Sequence, residues 1–506
     1  MYPKQFTINT IAVILNLLIQ FLVSFFLTSY LVGTVGATAY GFFALANTIV
    51  NYTIILTSAL NSMSSRFVGV EYHNQRFDEA IRYYSSVFFG DVFFVLLLLI
   101  PSLIAIWNID TFINVPPELL HDVRALFYVI FANMCINVCA AVFSGVFIIK
   151  NRLDLSSIIS ISSNLFRALL LILLYSFRSP SIVYLGIATL AATILVVVGN
   201  VYCNKKLMPE LRIEYATVRL KTIWTIVSAG MWNSFNHLSL FLLHGFDLLF
   251  SNIMLSAVVM GNMSVAGTLP AMVSTCISSI SNLFTPKYLE YFSAQNYDAL
   301  SREIHNSIKF MTVISCMPIC FLVGFGMPFY ELWTPNVDVK MVYLLSVCII
   351  IPNFTGAAIN SVNYLYTIVN KVKFPAIVLF GTGVLNVIVV YLCLKYSQLG
   401  VYSIVIVSAV LGILRNIVFN APYAAYCIHK KYYEFYPDML RSFVILLIGC
   451  SISWLINWIC EPSSWVELIL IGGGSSLMIA IVIAWTMLDK QQHIFLLSKL
   501  HLQKNE

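Results

Sequence analysis

Apolar runs of about twenty residues dominate the chain, each closed by a short polar stretch. A helix needs ~20 consecutive apolar residues to cross hydrocarbon. Runs of that kind occur at 9–32, 38–61, 84–107, 124–148, 157–177, 182–203, 223–246, 254–283, 307–332, 341–366, 374–394, 400–428, 441–460 and 465–487. The pattern predicts an all-α integral membrane protein with about 14 transmembrane helices. A strand barrel is excluded, because barrel strands alternate apolar and polar positions. The first run is too long for a signal-peptide core and lacks a small-residue cleavage site, so it reads as a retained helix.

The pattern also repeats. Glu71-Tyr-His-Asn-Gln-Arg-Phe-Asp-Glu-Ala80 resembles Tyr291-Phe-Ser-Ala-Gln-Asn-Tyr-Asp-Ala-Leu300, pairing Gln75 with Gln295, Phe77 with Tyr297 and Asp78 with Asp298 at an offset of 220. The same offset pairs Gly41 with Gly261, Asn133 with Asn353 and Asn200 with Asn420. The expected organisation is an N-terminal six-helix bundle (1–222), a C-terminal six-helix bundle (223–436), then two extra transmembrane helices and a cytoplasmic tail (437–506). Parallel repeats of this type are a transporter architecture, with the substrate path expected between halves.

Composition agrees: 60% of residues are hydrophobic and 10% charged, against about 25% charged in soluble domains. Charge placement sets topology. Of the 28 Lys and Arg, four fall in alternate loops (Arg124, Arg178, Lys340, Lys395), two lie mid-span, and the other 22 fall on the opposite side with both termini. The positive-inside rule therefore puts both termini in the cytoplasm. This accounts for the net charge of +6 without any nucleic acid partner.

Polar residues inside the spans recur at helical spacing. Asn16/Gln20, Asn47/Asn51, Asn133/Asn137 and Asn416/Asn420 are i, i+4 pairs, and Asn353 and Asn360 lie two turns apart. In hydrocarbon such groups need a partner or a wet cavity. Inter-helix hydrogen bonds, worth ~0.6 kcal/mol on average, are one reading; a shared hydrated lumen is the other. Asn233, His237, His244 and Asp247 form a further stripe ending the seventh span. The histidines either bond neighbouring helices or titrate during a cycle. Trp232 either stacks on a sugar or anchors its helix.

The two mid-span cations are Arg167 and Arg415, each about ten residues from its helix ends. That depth makes snorkelling difficult, and an arginine at helix centre costs at least ~2.5–3.5 kcal/mol. Either Asp91 or Asp247 neutralises them internally, or they line a cationic cavity for an anionic substrate. A guanidinium suits phosphate, which takes its forked donors.

Other signals are weak. Eleven cysteines sit mostly in spans; the i, i+4 pairs Cys135/Cys139 and Cys316/Cys320 lack metal-site spacing and read as apolar packers. Gly472 and Ser476 make a small-residue packing face. The sequon at Asn51 falls in a span. Neither a catalytic motif nor a metal or organic cofactor is indicated; coupling to an H+ or Na+ gradient is compatible with the chain.

Val35-Gly-Ala-Thr-Ala-Tyr-Gly-Phe-Phe-Ala-Leu-Ala46, Gln75-Arg-Phe-Asp78, Pro328-Phe-Tyr-Glu-Leu-Trp333 and Asp247, with the six-plus-six-plus-two helix order, resemble the polysaccharide-transporter branch of the multidrug/oligosaccharidyl-lipid/polysaccharide (MOP) exporter superfamily. The resemblance spans nearly the whole chain. It implies an O-antigen-unit flippase of the Wzx type in the bacterial inner membrane. Such a protein rocks between inward- and outward-open states and moves an undecaprenyl-diphosphate-linked oligosaccharide across the bilayer. Implied partners are that lipid-linked glycan, membrane lipids, and polysaccharide polymerase or chain-length machinery. A cationic lumen is expected of the family, and Arg167 and Arg415 are the positions able to supply it. Rival readings are a cation-coupled multidrug exporter, a peptidoglycan-precursor flippase, or a membrane-embedded glycan polymerase or glycosyltransferase. The first wants an acidic lumen and about twelve spans. The last wants larger outer loops.

Overall fold

The computed structural model describes residues 3–177 and 179–487. Arg178 and the expected cytoplasmic tail from 488 on lie outside the described residues. The described chain is helical, with no strand. Where no water is available, only internal i→i−4 bonding satisfies every backbone N–H and C=O along an apolar run.

The principal helices are α1 (Pro3–Val35), α2 (Ala37–Asn51), α3 (Thr53–His73), α4 (Phe77–Trp107), α5 (Leu120–Ala140), α6 (Leu153–Phe177), α7 (Val183–Leu207), α8 (Leu220–His244) and α9 (Ala257–Ser281). They continue as α10 (Tyr297–Trp333), α11 (Val339–Ile350), α12 (Asn353–Ile368), α13 (Lys373–Tyr396), α14 (Tyr402–Arg415), α15 (Ala421–Cys427), α16 (Tyr436–Cys460) and α17 (Gly474–Met487). Among the described residues, thirteen segments are long and apolar enough to cross a membrane, or fourteen if α2 and α3 count as one span bent by 63°. The run at 38–61 is thus a broken helix, and its apolar pattern continues across the bend at Tyr52. The run at 341–366 is broken as well, between α11 and α12, where Pro352 lacks a backbone donor.

The chain forms two compact units, Met1–Ser264 and Val265–Glu506. The repeat boundary expected at 222/223 falls within the first unit, where α8 packs. In the first unit α8 lies directly on α3: a Cβ added at Gly230 would meet the Ala59 carbonyl oxygen at 2.0 Å. Beside that contact the Ser58 and Ser234 hydroxyls bond at 2.7 Å. The start of α9 is held similarly, since a Cβ at Gly41 would meet the Gly261 Cα at 2.8 Å. Small residues let backbones approach where the hydrophobic effect gives no drive to associate.

Packing in the second unit centres on α10. Its neighbour α16 is the first of the two extra helices, and a Cβ at Gly324 would meet Ser453 Cβ at 2.4 Å. The Thr312 hydroxyl donates to Ser442 at 2.7 Å. Farther along this interface His305 Nδ1 hydrogen-bonds Asp438, and its Nε2 lies 3.6 Å from Glu434. The Gly472–Ser476 face packs as the sequence suggests: a Cβ at Gly472 would sit 3.1 Å from the Phe321 and Phe325 rings, and Ser476 is fully buried.

The two similar loops share one backbone design. α3 ends with Gln75 left-handed at φ 60°, its N–H reaching Tyr72 O (3.1 Å) and Arg76 N reaching Glu71 O (3.0 Å). The helix Thr285–Ser293 ends with Gln295 at φ 53°, its N–H reaching Phe292 O (3.0 Å) and Asn296 N reaching Tyr291 O (3.0 Å). Both are Schellman caps, and an aspartate follows in the first turn of the next helix (Asp78, Asp298), favourable to its dipole.

The α3–α8 contact yields a test. Gly230→Ala should cost on the order of 1–3 kcal/mol through enforced helix separation, seen as a lower thermal midpoint in detergent. Gly33→Ala, with nothing within 4 Å, should leave the midpoint unchanged.

Candidate functional site

Arg167 lies in α6 and Arg415 is the last residue of α14. Both side chains are partly buried. Arg167 Nε and Arg415 Nη1 are fully enclosed and have no hydrogen-bond partner among the described residues. Neither guanidinium enters an ion pair among those residues. The carboxylates weighed as internal partners are elsewhere: Asp91 in α4 is fully buried and accepts 3.0 Å from Asn61 Nδ2, its second oxygen unpartnered. Asp247 starts the short helix Asp247–Phe250 and engages neither arginine.

Arg415 opens onto a helix irregularity. The five residues Asn416–Asn420 are wound as a π-helix before α15 resumes the α form. The extra residue in the turn rotates side chains out of the regular series, and such bulges are frequent at functional sites. Asn416 Nδ2 donates to Thr355 Oγ1 (3.2 Å), Asn420 Nδ2 to Asn416 Oδ1 (2.9 Å), and Tyr366 Oη to Asn420 O (2.9 Å). Along α12, Asn353 and Asn360 reach Ser274 and Ser278 of α9, each at 3.4 Å. Asn416 and Asn420 thus form a polar seam with Thr355 and Tyr366 of α12, while Asn353 and Asn360 reach α9; all four lie in the second unit. Asn416 and Asn420 are buried, and their amides bind neighbouring groups and hold the seam. Asn353 and Asn360 stay partly open.

The first-unit positions are more scattered. Asn47 donates to the Phe43 carbonyl of its own helix (2.8 Å), which satisfies it locally. Asn51 and Gln20 are exposed. Asn16 and Asn133 each keep an enclosed Oδ1 without a partner. Asn137 donates to Asn133 O (3.2 Å) and to Thr193 Oγ1 (3.5 Å). On α8 the stripe is open: Asn233 is half-buried, His237 and His244 are exposed, and Asp247 is partly buried. The helix breaks at Gly245, whose carbonyl accepts from Tyr52 Oη at 3.0 Å.

Sequence reasoning missed two polar contacts. One is the Asn61–Asp91 bond, hidden because Asn61 ends an apolar run. The other is a reciprocal amide pair: Asn114 N donates to Asn252 Oδ1 (2.7 Å), and Asn252 Nδ2 donates to Asn114 O (3.1 Å). It pins the 113–116 segment to the π-helical turn Ser251–Leu255. No local spacing announces it. Among the described residues no group of three or more His, Cys, Asp or Glu could hold a metal.

The family model described as "Polysaccharide biosynthesis protein" matches residues 4–286. An "Uncharacterized membrane protein EpsK" of Bacillus subtilis (strain 168) is 27% identical over 503 residues, 98% of each chain. Among solved structures, an inward-facing multidrug resistance MATE family transporter of the MOP superfamily superposes with TM-score 0.68 at 15% identity, over 81% of this chain and 94% of that one. The lipid II flippase MurJ, in an inward closed conformation, superposes with TM-score 0.60 at 14% identity, over 94% and 98%. At those identities the likeness establishes the fold, a MATE/MurJ-type helical membrane fold.

The seam makes a prediction. Thr355→Val strands the buried Asn416 amide and should lower stability by about 1–3 kcal/mol, measured as a thermal midpoint. Thr382→Val removes only a bond to its own helix at Val378 and should change it little.

Proposed function

The chain belongs to the polysaccharide biosynthesis protein family, and we propose that it flips an undecaprenyl-diphosphate-linked oligosaccharide from the cytoplasmic to the outer leaflet of the bacterial cytoplasmic membrane. The observation that carries this reading is the pair of mid-span guanidiniums, one in each unit, with enclosed donor nitrogens and no carboxylate partner among the described residues. A buried cation without a counter-charge is unfavourable by several kcal/mol. A diphosphate supplies both the charge and planar sets of acceptors for a forked donor.

In this reading Arg167 and Arg415 are each a phosphate contact within their own unit, and partly open amides, Asn233 in the first unit and Asn353 and Asn360 in the second, meet sugar hydroxyls. The exposed His237 and His244 are positions for coupling to an H+ gradient. No covalent bond changes, so the protein acts by alternating access and not as an enzyme. Polymerase and chain-length machinery on the far side would consume the delivered unit, and an O-antigen or similar surface polysaccharide is the end product. A cationic drug as cargo is disfavoured, since the guanidiniums would repel it.

The reading is tested in a strain lacking its own flippase. Arg167→Gln and Arg415→Gln should each reduce surface glycan about tenfold or more, the loss of one charge-assisted contact. Arg→Lys at either site should retain more. Full glycan from both Gln variants at equal protein level would overturn the role.

A further inference from the structure

A cavity of about 410 Å³ opens in the first unit beside the end of α7. Arg167 does not line it, and the function above does not use it. Its floor is polar and its mouth is basic. Tyr84 and Asn204 line it, each only 3% exposed, and the Tyr84 hydroxyl and the Asn204 amide nitrogen lie beside each other with no further polar partner among the described residues. Lys205 and Arg212 line the mouth and are exposed. Neither forms an ion pair among the described residues. Phe143 and Ile213 contribute an apolar wall.

The site is built rather than incidental. Met208 and Leu211 are buried and root the loop after α7 in the core formed by Leu60, Val87 and Val142. Ser85 Oγ accepts from Glu214 N at 2.9 Å and donates to Arg212 O at 3.4 Å, which fixes the backbone that carries the guanidinium. The nearby acid Glu210 is turned away to the Tyr72 hydroxyl (3.0 Å), which itself accepts from Lys150 (2.9 Å).

The repeat supplies an internal control. At the 220-residue offset Tyr84 corresponds to Ile304 and Asn204 to Ala424. Both of those are fully buried in one apolar cluster with Phe435 and Met439. The fold therefore closes this position with hydrocarbon in the second half. In the first half it keeps two buried polar groups with no partner beyond each other, and an opening.

We propose that this cavity holds the phosphate head group of an anionic membrane phospholipid. The charge asymmetry of the loops places it at the cytoplasmic leaflet, where basic pockets between helices take such head groups. Lys205 and Arg212 meet the phosphate oxygens. The Asn204 amide and Tyr84 hydroxyl donate from below, and the apolar wall accepts the first carbons of the glycerol and acyl chains. The volume lies in the range of small-ligand sites, ~300–1,000 Å³.

The test uses the full chain in detergent with added phosphatidylglycerol, phosphatidylcholine or inorganic phosphate, read by native mass spectrometry and thermal midpoint. Wild-type protein should retain phosphatidylglycerol over phosphatidylcholine by about tenfold or more, from two basic side chains near one phosphate. The double variant Lys205→Gln/Arg212→Gln should lose that preference, and Asn204→Ala should weaken it several-fold. Lys206→Gln should not, because that ammonium lies over the Tyr202 ring, outside the cavity. An unchanged preference in the double variant or in Asn204→Ala, an equal loss in Lys206→Gln, or stabilisation by inorganic phosphate equal to that by phosphatidylglycerol would overturn the assignment.

Discussion

Hydrocarbon offers no hydrogen bonds, and that single constraint organises this protein. Every backbone group along an apolar run must be satisfied within its own helix, so the described apolar runs are helical. Side chains then fall into two kinds. Some are satisfied where they stand, as Asn47 is by Phe43 O. Others carry a demand that the protein itself does not meet, and those mark where something else must come.

Association between helices cannot come from apolar burial alone when lipid is equally apolar. The structure answers with close approach and with small polar contacts: Gly230 against Ala59, Gly324 against Ser453, Thr312 with Ser442, and the amide seam around Asn416. The seam sits on a π-helical turn one residue beyond Arg415. Arg415 itself keeps ordinary α-helical dihedrals, φ −59° and ψ −43°, at the end of α14.

The fold was largely legible in the sequence because a twenty-residue apolar run permits one backbone solution. Loop geometry was legible where the repeat exposed it: Gln75 and Gln295 occupy the same left-handed position. What periodicity missed has a common cause. The bend at Tyr52 leaves hydropathy unbroken, so 38–61 read as one span. Which helices glycine lets touch, as Gly230 does for α8 and α3, is a pairwise property with no local pattern. Among candidate residues, depth and charge singled out Arg167 and Arg415, and among the described residues no acid lies against either. Spacing alone could not tell a buried seam amide such as Asn416 from an open one such as Asn353, since each recurs with a second Asn on one face of its helix.

The central claim is that the two guanidiniums recognise a diphosphate. Binding of an undecaprenyl-diphosphate glycan can be compared with that of the same glycan on the uncharged polyprenol, in wild type and in the Arg167→Gln/Arg415→Gln protein. The account predicts strong preference for the diphosphate in wild type and near-equal binding of the two lipids in the double variant. An undiminished preference for the diphosphate after both arginines are removed would contradict it.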